Sequence, residues 1–101
     1  MWNDGDMRTF RNFINGQSVD AHDGRTADII NPVTGQVYAT APLSGAEDVD
    51  RSMKAAGAAF DEWRNSTPSE RSLALLRIAD AIETRADELV AIEVENTGKP
   101  I

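Results

Sequence analysis

Apolar side chains along this chain change their spacing once, near residue 44, and the change separates two kinds of predicted element. Before it the apolar residues fall in short runs broken by turn formers. Phe10-Arg11-Asn12-Phe13-Ile14 and Gln17-Ser18-Val19 flank Asn15-Gly16. That dipeptide is the strongest short signal for a two-residue hairpin, because both central positions of a type I′ turn need positive φ. After a loop through Asp23-Gly24, the β-branched content of Thr26-Ala27-Asp28-Ile29-Ile30-Asn31 predicts extended chain. Asn31-Pro32-Val33-Thr34-Gly35 then turns the backbone, and Gln36-Val37-Tyr38-Ala39-Thr40-Ala41 reads as the returning strand.

Past residue 44 the apolar positions recur at steps of three and four. Ser44-Gly45-Ala46-Glu47 has the form of a capping box and predicts a helix start. The stripe that follows, Ala46, Val49, Met53, Ala56, Phe60 and Trp63, is one face built for burial, while Asp48, Asp50, Arg51, Lys54 and Asp61 point elsewhere. Thr67-Pro68-Ser69-Glu70 repeats the device with proline at the first helical position. The second helix carries Leu75, Ala79, Ile82, Ala86 and Leu89, widened by Leu73, Leu76, Ile78, Val90 and Ile92. Such a helix needs cover on more than one side. Unbroken from Pro68 to Asn96, it would run about 43 Å at ~1.5 Å per residue. Gly98 and Pro100 supply its stop. Residues 1–9 lack periodicity and are expected to be a mobile tail, leaving residues 10–101 as one small domain or part of one.

The charge balance narrows the function. Seventeen acidic residues against ten basic ones give a net charge of -7, so a phosphate backbone would be repelled and nucleic acid is not an expected partner. No apolar run approaches the roughly 20 residues that span a bilayer, and Met1-Trp2-Asn3-Asp4-Gly5-Asp6 is acidic where a signal peptide starts basic. The expectation is a cytoplasmic chain with no membrane partner. The absence of cysteine removes disulfides, thiolate metal sites and a thiol nucleophile. His22, in Asp20-Ala21-His22-Asp23-Gly24, reads as a loop residue rather than a catalytic base. Glu93 and Glu95, two apart, do not face one another on a helix. Asn65-Ser66-Thr67 matches the glycosylation pattern without any sign of secretion. No glycine-rich phosphate loop or paired-histidine spacing occurs, and Gly98-Lys99 is a helix end. No catalytic and no cofactor-binding residue is therefore identified.

Five landmarks stand in order along the chain: Phe13-Ile14-Asn15-Gly16, Ile30-Asn31-Pro32-Val33-Thr34-Gly35, Glu47-Asp48-Val49-Asp50-Arg51, Thr67-Pro68-Ser69-Glu70-Arg71 and Val94-Glu95-Asn96-Thr97-Gly98-Lys99-Pro100-Ile101. Together, from about Phe10 to Pro100, they resemble the N-terminal part of the aldehyde dehydrogenase superfamily, in wording most similar to its aminobutyraldehyde and betaine aldehyde branch. The resemblance implies an α/β fold in which β-hairpins and two α-helices belong to a cofactor-binding domain, cut off before its parallel sheet. It implies an enzyme that oxidises an aldehyde to a carboxylic acid with NAD or NADP, through a cysteine thiolate and a glutamate-activated water. None of those groups maps onto this segment, so the chain alone is expected to be an inactive scaffold. The complete enzyme is expected to take the aldehyde substrate and to be a homo-oligomer. The resemblance also implies a structural potassium or sodium ion held by main-chain oxygens of Ile29, Ile30 and Asn96, where Asn96 stands in place of a frequent aspartate. The alternative is a small non-enzymatic protein, an acidic interaction or structural module from a shortened gene. A complete small domain buries its long helix within itself, whereas a fragment exposes it.

Overall fold

The computed structural model describes residues 7–101. Five strands precede three helices: β1 (Arg8–Thr9), β2 (Asn12–Ile14), β3 (Gln17–Val19), β4 (Thr26–Ile30), β5 (Val37–Pro42), α1 (Ala46–Trp63), α2 (Pro68–Thr84) and α3 (Ala86–Thr97). The α/β class expected from the sequence is the one observed. β2 and β3 form the expected hairpin, with Phe13 opposite Ser18 and Ile14 opposite Gln17. Its turn has φ of 52° at Asn15 and 76° at Gly16, both in the left-handed region that a type I′ turn demands.

The second sheet runs in the order β1-β5-β4, with β4 antiparallel and β1 parallel to β5. Between β4 and β5 the Asn31 side chain accepts from the Val33 amide at 2.9 Å, and the Gly35 amide donates to the Asn31 carbonyl at 2.8 Å. The turn thus closes on its own polar groups. The ladder slips next to this turn: Ile29 lies opposite Ala39, but Ile30 lies opposite Val37. Tyr38 is the extra residue of a bulge, which bends a strand and redirects its side chains. The tail expected over residues 1–9 does not hold for its last two residues. Residues 1–6 lie outside the described residues, but Arg8 and Thr9 pair with Ala39 and Thr40. No local pattern announces this strand, since its partner is the last strand, beyond the β2–β3 hairpin and β4.

The start of α1 differs in detail from the expected capping box. Gly45, not Ser44, is the cap residue, and Asp48, not Glu47, returns a carboxylate oxygen to the Gly45 amide at 2.9 Å. The Ser44 hydroxyl instead accepts from the Asn12 side-chain amide at 2.8 Å, tying the helix start to β2. At α2 the reciprocal box forms as expected: the Glu70 amide donates to Thr67 Oγ1 at 3.1 Å and the Thr67 amide to Glu70 Oε2 at 2.8 Å, with Pro68 at the first position.

The single rod expected from Pro68 to Asn96 is two helices. Arg85 leaves helical geometry, with φ of -107° and ψ of 20°. Two local interactions favour the break. The Thr84 hydroxyl donates back to the Asp80 carbonyl at 2.8 Å, a competitor for the backbone ladder, and the Arg85 guanidinium folds onto Glu88 at 2.7 and 2.9 Å across the first turn of α3. α3 then stops on Gly98, whose φ of 74° lets its amide cap the Val94 carbonyl at 2.8 Å.

The helices do not enclose a core. Among the described residues the buried hydrophobic side chains are Ala21 and Ala39, while Val49, Met53, Phe60, Trp63, Leu75, Leu76, Ile78 and Ile82 are each more than half exposed. The radius of gyration is 17.1 Å, where a compact domain of this length has about 13 Å. The molecule is a plate of 48 × 35 × 18 Å with two apolar helix faces open.

Two glycines with opposite roles test this description. A methyl group added at Gly98 would meet Pro32 Cγ at 3.3 Å and force a left-handed φ on alanine, whereas one added at Gly57, inside α1, meets nothing. Gly57→Ala is expected to raise helix stability by roughly 0.5–1 kcal/mol and Gly98→Ala to lower stability by more than about 1 kcal/mol. Urea titration followed by circular dichroism reads both, and equal effects of the same sign would contradict the assigned backbone.

Candidate functional site

Polar side chains converge at two places. The first is the N-terminus of α1. Asp48 is 5% exposed, and its two oxygens accept from the Gly45 amide at 2.9 Å and the His22 amide at 2.8 Å. These two backbone donors, Gly45 the stronger, hold its carboxyl below the ordinary carboxylate range. One side chain thus caps the helix and anchors the turn that carries His22. The His22 ring lies between Glu47 and Arg51, with Nε2 at 3.4 Å from Glu47 Oε2 and Nδ1 at 3.1 Å from the Arg51 guanidinium. An arginine donates and never accepts, so Nδ1 is the acceptor and Nε2 carries the proton in this arrangement. The ring is a link between a loop and a helix surface, in keeping with its reading as a loop residue. Nearby, the Arg25 amide and guanidinium lower the carboxyl of exposed Asp23 in the same way.

The second place is the C-terminal end of α3, which lies against the sheet. The Tyr38 hydroxyl donates to Asn96 Oδ1 at 3.0 Å, and Gly98 packs on Pro32 and Val33 of the β4–β5 turn. The residues expected to supply carbonyls to an ion are therefore in neighbouring elements: Ile29 and Ile30 flank the slip in the β4 ladder, and Asn96 sits in the helix end that faces the following turn. The Asn96 carbonyl has Pro100 four residues ahead, which has no amide to donate. Arg8 joins this region, its guanidinium paired with Glu95 and stacked on Tyr38. Sequence reasoning missed Arg8, Tyr38 and Asp48 as organising residues. Asp48 alone had a local signal, an acid three residues after a permissible glycine cap.

Phosphate has no cradle here. The N-termini of α1 and α2, where anions bind best, already hold the carboxylates of Asp48 and Glu70. α3 opens with Asp87 and Glu88, the latter lowered by its hydrogen bonds from Arg85. Gly98-Lys99 lies at the negative end of a helix dipole, not the positive one. Among the described residues, each helix N-terminus thus carries a carboxylate in its first turn. The described residues contain no group of three histidine, cysteine or acidic side chains placed to hold a metal ion, and no helix long and apolar enough to cross a membrane. The Asn65 and Ser66 side chains of the glycosylation-like triplet bond back to the end of α1, to the Asp61 and Trp63 carbonyls.

Comparison with known proteins gives one consistent answer. The sequence model of the aldehyde dehydrogenase family matches residues 19–101. Aldehyde dehydrogenase 1 of Tanacetum cinerariifolium is 43% identical over 97 residues, which is 94% of this chain and 19% of that protein. The mitochondrial aldehyde dehydrogenase family 2 member B4 of Arabidopsis thaliana is 44% identical over 89 residues, 86% of this chain and 16% of that one. Among solved structures, the NAD-dependent aldehyde dehydrogenase of Sinorhizobium meliloti superposes with a TM-score of 0.88 at 35% identity, covering 97% of this chain and 21% of the other. The chain thus spans about a fifth of the length of the relatives it matches.

The Asp48 cluster has a pH signature. A carboxyl held below its unfolded value stabilises the fold fully above the ordinary carboxylate range near ~4, and that contribution disappears as pH falls through the lower folded value. Acid titration of helicity is expected to show this loss, and Asp48→Ala to lower stability at neutral pH while flattening the acid limb. Asp23 and Glu88 shift in the same direction, so the difference between wild type and variant is the quantity to read. Identical acid limbs would show that Asp48 does not hold the turn to the helix.

Proposed function

We propose a role for this chain from one premise: it belongs to the aldehyde dehydrogenase family, a family of oxidoreductases. The role is that of scaffold. Residues 10–101 form the N-terminal part of a larger domain in an enzyme that oxidises an aldehyde to a carboxylic acid with NAD or NADP. The observation that carries this reading is the open apolar face on α1 and α2, in a chain that matches a fifth of its relatives' length. Each large apolar side chain left uncovered forgoes about 1.5–3 kcal/mol of burial, a serious loss against the 5–15 kcal/mol that stabilises a whole domain. Faces of this size mark contacts with further protein.

The family's reaction runs through a cysteine thiolate, and this chain has no cysteine. Binding of the dinucleotide is likewise assigned to other residues, since each helix N-terminus here carries its own carboxylate. What these residues contribute is placement: the Asp48 and Ser44 contacts fix α1 on the hairpins, and the end of α3 rests on the β4–β5 turn. A structural potassium or sodium ion suits that last junction. The carbonyls of Ile29, Ile30 and Asn96 are neutral hard oxygens, the ligand type such ions take. The complete enzyme is proposed to be a cytoplasmic homo-oligomer.

The chain alone, incubated with NAD or NADP and short aldehydes, is expected to give no reduced nicotinamide, while the full product of its gene turns over. Turnover by the chain alone above a heat-denatured control would overturn the scaffold role. Urea unfolding by tryptophan fluorescence, with light scattering, tests the open faces: the chain alone is expected to self-associate or unfold broadly, and the longer product to unfold cooperatively. A monomeric chain unfolding in one sharp step would favour the small-domain alternative. Thallium anomalous scattering in crystals of the full product would locate the ion, and no peak near Ile29, Ile30 and Asn96 would remove it from the proposal.

A further inference from the structure

Arg8 lies where the sequence predicts only a tail, yet its side chain is 9% exposed and its guanidinium pairs with Glu95 in the last turns of α3. The guanidinium carbon is 4.9 Å from the centre of the Tyr38 ring and 6.0 Å from that of Phe10. Tyr38, aimed by the β5 bulge, also donates its hydroxyl to Asn96 at 3.0 Å. One aromatic side chain therefore touches both the cation of β1 and the end of α3.

Neither element is well held by itself. β1 adds two residues to β5 in parallel, extended by the Phe10 amide donating to the Thr40 carbonyl at 2.8 Å. So short a parallel ladder is marginal. α3 is a helix separate from α2, because the backbone between them leaves helical geometry at Arg85. Its last turn also opposes its own dipole: it contains no basic residue, while Glu93 and Glu95 crowd the negative end. Exposed Lys99 approaches Glu93 at 3.6 Å, but Glu95 finds its positive charge in the strand.

We infer that β1 is a strap that fastens α3 to the sheet, with Arg8 as its positioning residue, supplying to the end of α3 the counter-charge that the helix lacks. A guanidinium suits the place because its plane can stack on the Tyr38 ring while its N–H groups pair with Glu95, whereas a lysine ammonium is a point charge with no plane to stack. The strap sets where the Asn96 carbonyl and the Gly98 cap lie, and it does so whether or not an ion binds there.

The test is hydrogen–deuterium exchange in the full product of the gene, comparing peptides from Ala86–Thr97 with reference peptides from Pro68–Thr84. Arg8→Gln is expected to speed exchange in α3 by about tenfold or more, because breaking one side of a partly buried pair strands the other charge. The α2 reference stays unchanged, and Arg8→Lys restores only part of the protection. Adding Glu95→Gln to Arg8→Gln is expected to bring no further increase, since the pair between them is already lost in Arg8→Gln. Unchanged α3 exchange in Arg8→Gln, or additive effects in the double variant, would overturn the strap. Should Arg8→Gln fail to fold, Glu95→Gln decides alone, as it keeps the strand and its stacking: faster exchange in α3 with α2 unchanged supports the inference, and no change ends it.

Discussion

The pairing of β5 on both of its edges is the constraint on which the rest of this structure depends. Ala39, at its centre, is completely buried, with Arg8 of β1 on one side and Ile29 of β4 on the other. A side chain no larger than a methyl group at this point keeps the sheet thin, and the bulge beside it turns Tyr38 towards α3. The end of α3 and the first strand meet at that tyrosine. A ladder in strict register would hold Tyr38 to the plain alternation of the pleat, without the local bend that the extra residue introduces.

Hydrogen-bonded carboxylates do the same work at the entries to α1 and α2. Asp48 and Glu70 each return an oxygen to the backbone amide at the entry to a helix, where orphan donors and the positive end of the dipole favour a negative charge. Asp48 goes further by also accepting from the His22 amide, so the start of α1 and the loop after β3 share one acceptor. The same use of helix N-termini removes them as sites for a phosphate-bearing ligand.

Open apolar surface is the other side of the arrangement. The hydrogen bonds and ion pairs described above are mostly at the surface, and such pairs add little stability individually. Burial is the large term in any folded domain, and here the faces that would supply it look outward. In the scaffold role proposed for this chain, those faces are surfaces on which further polypeptide packs.

Much of the local structure was determined by the sequence alone, because its causes are local. Asn15-Gly16 makes a type I′ turn since those two residues tolerate positive φ, Thr67 and Glu70 cap each other across one turn, and Gly98 ends a helix for want of a Cβ. The five landmarks that resemble the family are themselves turns, helix entries and a helix end of this kind. The tertiary structure decided what depends on partners far along the chain. Arg8 becomes a strand residue only because β5 and Glu95 lie beside it, Asp48 is buried because the distant His22 amide also reaches it, and the long apolar run after Pro68 divides at Arg85 into two helices, the second of which meets the sheet at its C-terminal end. Periodicity records which side chains seek burial, but the direction in which a helix must turn to find it is set by the surface it meets.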